Sequence, residues 1–196
     1  MKKQKPKEKP NKINNFQESW NFIKENKFYV YVAASIFLLF ALIGYFISPP
    51  EIIESQILKM LAQLTSEFDG LNLMQTIFKI FFNNTWASFI ALITGMLLCI
   101  FPLFTVIFNG YIVGYVANRA VAQEGILVLW RLFPHGIFEL PAVIISIGLG
   151  FSLGVGIFMP NFKSRLKQSF KAFFLIILPL LLIAAVIEGL LVFFIK

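Results

Sequence analysis

Four runs without an internal basic residue stand out along the chain, each bounded by charged or turn-forming residues. The first has a core of 20 residues, 28–47. As helix it covers about 30 Å, the thickness of bilayer hydrocarbon. It is too long for the apolar core of a signal peptide, and Ser48-Pro49-Pro50-Glu51 offers no small-residue cleavage site, so it reads as a retained anchor. The second run, residues 80–118, would be about 58 Å long as one helix and must fold back. Pro102 suits the first turn of a helix and breaks an interior, which places the turn there and predicts spans at 81–100 and 102–121. The competing turn, Asn109-Gly110, would bury Arg119 near mid-membrane. The third run gives a span over 140–162 that extends back to His135, and the last gives 172–195, interrupted only by Glu188. The pattern predicts an all-α, polytopic transmembrane helical bundle of five spans. Residues 126–134 are apolar but too short to cross, and read as a broken or re-entrant segment before span four.

After the first span, Ile53, Ile57, Met60, Leu61, Leu64 and Phe68 recur at helical spacing, an amphipathic helix that stops near Gly70. It is expected either to lie on the bilayer or to dock an extracytoplasmic partner. The chain thereby divides into a basic tail (1–27), a first span (28–47), an outer amphipathic loop (48–80) and a four-span membrane domain (81–195). Asn83-Asn84-Thr85 fits a glycosylation acceptor pattern at the expected mouth of span two.

Composition sharpens the class. Hydrophobic residues make up 58% of the chain and charged residues 14%, against about 45–50% and about 25% in soluble domains. A soluble enzyme and a disordered chain are excluded. One cysteine, Cys99, and one histidine exclude a disulfide framework, a cysteine-built metal site and any site needing several imidazoles. The charges also orient the spans. Residues 1–27 hold eight Lys and three Glu, and residues 159–171 hold Lys163, Arg165, Lys167 and Lys171 without an acid. The loop after span one is net acidic, with Glu51, Glu54, Glu67 and Asp69 against Lys59 and Lys79. Five spans put both basic segments on one side, so the positive-inside rule predicts a cytoplasmic N-terminus and an extracytoplasmic C-terminus in a cell membrane. The basic tail lacks the interleaved aromatics of a single-strand binder, and nucleic acid is not an expected partner.

Charged groups inside a bilayer need a partner or a purpose. In this topology Arg119, Arg131, His135, Glu139 and Glu188 gather near the outer surface from separate spans. His135 and Glu139 are four apart on one helix face, and Pro134 and Pro141 bracket them as helix breaks. Three readings stand. The arginines neutralise the two acids in an internal network; the His/Glu/Glu set forms an ion or proton site of a transporter; or it holds a metal, for which one His and two Glu are a thin ligand set. No Ser–His or Cys–His spacing nominates a catalytic residue, and no cofactor is expected. For packing, Gly148, Gly150, Gly154 and Gly156 line span four, and Asn109, Gly110 and Gly114 lie on span three. Small residues at this spacing let helices approach closely, within one chain or in a homo-oligomer, and Asn109 is expected to hydrogen-bond across to another helix.

Asn84, Asn109-Gly110-x-x-x-Gly114, Pro134-His135-Gly136-x-x-Glu139-Leu140-Pro141-Ala142 and Ala184-Ala185-x-x-Glu188 together resemble the stage II sporulation protein M family over roughly residues 80–195. The resemblance implies a five-span membrane protein without established catalysis. It also implies a scaffold that, in the sporulating-bacterium member, recruits two extracytoplasmic wall-degrading proteins. The expectation for this chain is therefore a non-enzymatic membrane scaffold or assembly protein with extracytoplasmic or membrane partners. A transporter or ion-coupled permease component is the alternative.

Overall fold

The computed structural model describes the backbone of residues 12–194, with the side chains of 12–14 and 130–135 outside that description. Eight helices follow in order: α1 (Lys12–Glu25), α2 (Lys27–Phe46), α3 (Glu51–Ser66), α4 (Leu73–Thr94), α5 (Ile100–Glu124), α6 (Leu129–Gly156), α7 (Phe162–Ala172) and α8 (Leu178–Phe194). Five stretches are long and apolar enough to cross a bilayer: α2, α4, α5, Gly136–Gly156 of α6, and Phe162–Phe194 through α7 and α8. The molecule is an all-α, multi-pass membrane bundle. The basic tail falls mostly outside the described residues.

Several boundaries differ from the sequence expectation. The helix that carries span two begins at Leu73, ahead of residue 81, because Asn72 and Gln75 form a reciprocal capping box, each side chain taking the other's backbone N–H at 3.0 Å. Asn83-Asn84-Thr85 therefore lies inside α4 and not at its mouth. The turn after α4 occupies residues 95–99, where Leu98 and Cys99 take left-handed φ values of 53° and 64°. Pro102 is the third residue of α5, a position whose N–H has no partner within a helix anyway. The helix runs unbroken through Asn109-Gly110.

The interruption before span four is at Gly125 (φ 84°) and a single 3₁₀ turn, Ile126–Val128. It is not at the prolines: α6 continues through both Pro134 and Pro141. Each ring removes one helical hydrogen bond, and a membrane helix packed among others absorbs that loss. A real irregularity appears instead in the last span, where a π turn, Phe173–Ile177, joins α7 to α8. Pro179 lies two residues beyond it and cannot donate to the carbonyl of Leu175, so widening the preceding turn relieves the crowding.

Helix α6 is the centre of the bundle, touching α2, α4, α5 and α8. Ser146, Ile147, Leu149, Ser152 and Leu153 on it are fully buried. Glycines set the two tightest crossings. In the α2–α5 crossing, a Cβ on Gly110 would stand 2.6 Å from the Phe37 carbonyl oxygen, and Gly114 and Gly44 meet the Ala41 and Tyr111 carbonyls still more closely. In the α4–α6 crossing, Gly150 lies against the Ala91 carbonyl and Gly154 against that of Gly95. Helix α1 packs on α7, where Lys171 is ion-paired with Glu18. The segment before the first span and the start of the last therefore share one face of the bundle, as an even number of intervening crossings requires. On the opposite face, Lys79 pins the α3–α4 turn by pairing with Glu67 at 2.8 Å.

Candidate functional site

Glu139 stands ten residues into α6, and Glu188 lies six residues before the end of α8. The fold brings these two acids from separate spans within electrostatic reach of each other. Both are only partly accessible, and Glu188 Oε2 is fully buried with no hydrogen-bond partner among the described residues. An orphaned carboxylate oxygen in a membrane interior is costly unless a proton, a cation or a water meets it. The backbones of Arg131, Pro134 and His135 are helical, and their side chains lie outside the described residues. Pro141 is exposed on α6. Among the described residues, no group of three or more His, Cys, Asp or Glu is placed to hold a metal ion.

Arg119 does not join this layer. Its guanidinium is ion-paired with Glu54 of α3, and its Nε donates to the Tyr115 hydroxyl at 3.1 Å. The Tyr115 hydroxyl in turn donates to Glu54 Oε1 at 2.9 Å. Arg119 and Tyr115 are four apart on α5, so both reach the same carboxylate from one helix face. The internal network in which Arg119 offsets Glu139 or Glu188 is thus corrected: the arginine faces the loop helix, where a partly hydrated acid costs less to pair. The acidic first turn of α3 and the Tyr115–Arg119 spacing are the sequence signals that could have found this trio.

The packing residues are distributed over distinct contacts. Gly110 and Gly114 admit α2, Gly150 and Gly154 admit α4, and a Cβ on Gly148 would stand 2.7 Å from the Val30 Cα. Gly156 is covered by the Arg165 side chain at 3.2 Å. Asn109 is exposed on α5 and has no hydrogen bond to another helix among the described residues, contrary to expectation, because its neighbour Gly110 and not Asn109 faces α2.

Sequence reasoning also missed a buried polar junction on the α1/α7 face. Asn26 separates α1 from α2, donates from Nδ2 to the Phe22 carbonyl at 2.8 Å, and accepts from the Ser152 hydroxyl. Arg165 donates to the same hydroxyl at 2.9 Å. Asn26 and Ser152 are both buried. Three residues far apart in the chain thus tie α2, α6 and α7 together, and no local spacing announces them.

Residues 33–192 match the family described as stage II sporulation protein M. An uncharacterized protein of Methanocaldococcus jannaschii is 31% identical over 141 residues, which cover 67% of this chain and 61% of that protein. The chain thus spans under two thirds of that relative's length. No solved structure matches. The matched region runs from within the first span to near the end of the fifth and takes in Glu139, Glu188 and the glycine crossings of α2 with α5 and of α4 with α6. The chain belongs to the stage II sporulation protein M family.

Proposed function

We propose that this protein is a non-enzymatic membrane scaffold that docks protein partners through its 48–80 loop, with its N-terminus in the cytoplasm and its loop and C-terminus outside. The observation that carries this reading is the weak attachment of α3. Glu54 holds it to Arg119 and Tyr115, and Ile57 is its one buried residue. Ile52 is 76% exposed, and Ile53, Leu58 and Leu64 are exposed beside it. An amphipathic helix that leaves this much apolar surface beyond the bundle has surface available for a partner. The orientation rests on the basic charge of residues 1–27 and 159–171 against the acidic loop.

The test is site-specific crosslinking in native membranes from Ile52 and Leu58. A defined adduct from Leu58 that disappears in Ile52→Glu, but persists with a substitution on the α1 face, supports docking. Absence of any adduct from α3 in intact cells overturns it. Thiol labelling of cysteines placed at residues 63 and 163 in a Cys99→Ser background checks the orientation.

A second reading is favoured by one feature, the buried, partnerless Glu188 oxygen within electrostatic reach of Glu139. Under it, the two acids carry a proton or cation as part of a transporter. Flux through purified protein in liposomes, abolished by Glu139→Gln and by Glu188→Gln, would establish this reading in place of the scaffold.

A further inference from the structure

Moving the start of span two to Leu73 relocates one polar side chain. Asn83 lies ten residues after Leu73 and eleven before Thr94. Helical rise gives about 15 Å of α4 on either side of it, so it stands midway along a helix about as long as the bilayer's hydrocarbon is thick. The residue is exposed, and its amide makes no hydrogen bond among the described residues. An unpaired amide in hydrocarbon has neither water nor lipid acceptors to turn to.

Asn83 does not stand alone on its face. Ala87, Ile90 and Thr94 follow at intervals of four, three and four, the spacing of one seam on a helix that packs nearly parallel to another. Ala87 and Ile90 are exposed, and the Thr94 hydroxyl is satisfied internally by the Ile90 carbonyl at 2.6 Å. The small Ala87, one turn from Asn83, lets a second backbone come close. A row of larger groups borders the seam, with Phe78, Phe82 and Trp86 stacked at centroid spacings of 6.3 and 6.4 Å.

We propose that this seam joins two copies of the chain, with Asn83 of each copy hydrogen-bonded to Asn83 of the other. Two copies inserted in the same direction are related by an axis along the membrane normal, which sets each residue at the depth of its own counterpart. An amide carries both donor and acceptor, so an identical pair satisfies itself reciprocally. A lipid chain cannot do this. Asn109, also exposed and near mid-helix, lacks the seam: Val113 and Val116 follow it where Ala87 and Ile90 follow Asn83.

The experiment measures association of the purified full-length chain in lipid vesicles by energy transfer, across a range of protein-to-lipid ratios. The expected result is a dimer whose association weakens about tenfold or more in Asn83→Leu, as loss of paired interhelical hydrogen bonds predicts, and is unchanged in Asn109→Leu. In a Cys99→Ser background, Ala87→Cys should form an oxidised dimer, and Leu182→Cys on the exposed face of α8 should not. A monomer at every density overturns the proposal, and so does a dimer indifferent to Asn83→Leu. Asn83→Leu places an apolar side chain on a lipid-facing surface, so folding is not at risk in the decisive variant.

Discussion

Arg119 is ion-paired with Glu54, so a guanidinium near the C-terminal end of α5 holds the loop helix α3 and not either of the two membrane acids. The pair is half open on the arginine side, where 49% of the side chain is exposed. Such pairs contribute about 1 kcal/mol or less. Tyr115, however, is fully buried and its hydroxyl depends on the same carboxylate. Glu54→Ala should therefore destabilise by about 1–3 kcal/mol, more than Arg119→Ala, because it also leaves the Tyr115 hydroxyl without its acceptor. Thermal unfolding in detergent gives the ranking, and limited proteolysis between residues 47 and 72 should speed up in both variants. Equal losses would mean that Tyr115 finds another acceptor.

Two glycine substitutions should separate packing from helix propensity. In Gly114→Ala the new methyl meets the Ala41 carbonyl, a backbone atom that cannot swing away, and α2 must part from α5. A loss of about 1–3 kcal/mol is expected. At Gly136 the new methyl would find, among the described residues, only Leu140 Cδ1, at 3.7 Å. Gly136→Ala should be neutral or stabilising by up to about 1 kcal/mol, as alanine is the better helix former. Melting curves of the two variants followed by circular dichroism check both.

Cys99 should resist alkylation. Burial pushes its thiol above the ordinary range, and a hydrogen bond from the Val155 backbone offsets this only in part. A raised thiol pKa leaves little thiolate at pH 8, so modification should be slow there and accelerate only at higher pH. Unfolding in dodecyl sulfate should restore the rate of a free thiol. Rapid labelling of the native protein at pH 7 would show that the 95–99 turn opens.

Ser152→Ala should loosen the α1/α7 face from within. It removes the hydroxyl that both Asn26 and Arg165 use, leaving a buried amide oxygen without its donor. About 1–3 kcal/mol is expected. Hydrogen exchange should quicken in α1 more than in α5, and uniform quickening would argue against a local tie.

The membrane class and the count of crossings were legible because both depend on local composition: about 20 apolar residues match the bilayer, and an uncharged run twice that long must turn. The Asn72-to-Gln75 spacing was legible as well, and would have set the start of span two correctly. The prolines misled for a different reason. Proline breaks a helix when its freed carbonyl must be left bare, and in α6 the surrounding helices remove that penalty, so Pro134 and Pro141 lie inside a continuous helix.

The sequence by itself determined the helices, their apolar length and the placement of acids and basic residues along them, since these follow from residue type and spacing. Only the tertiary structure decided who meets whom. It turned Arg119 toward Glu54, brought Glu139 within electrostatic reach of Glu188, joined Asn26, Ser152 and Arg165, and left Asn83 exposed midway along α4. Those outcomes depend on the rotation of each helix about its own axis, which close contacts such as Gly114 against Ala41 fix across the bundle and which no local pattern encodes.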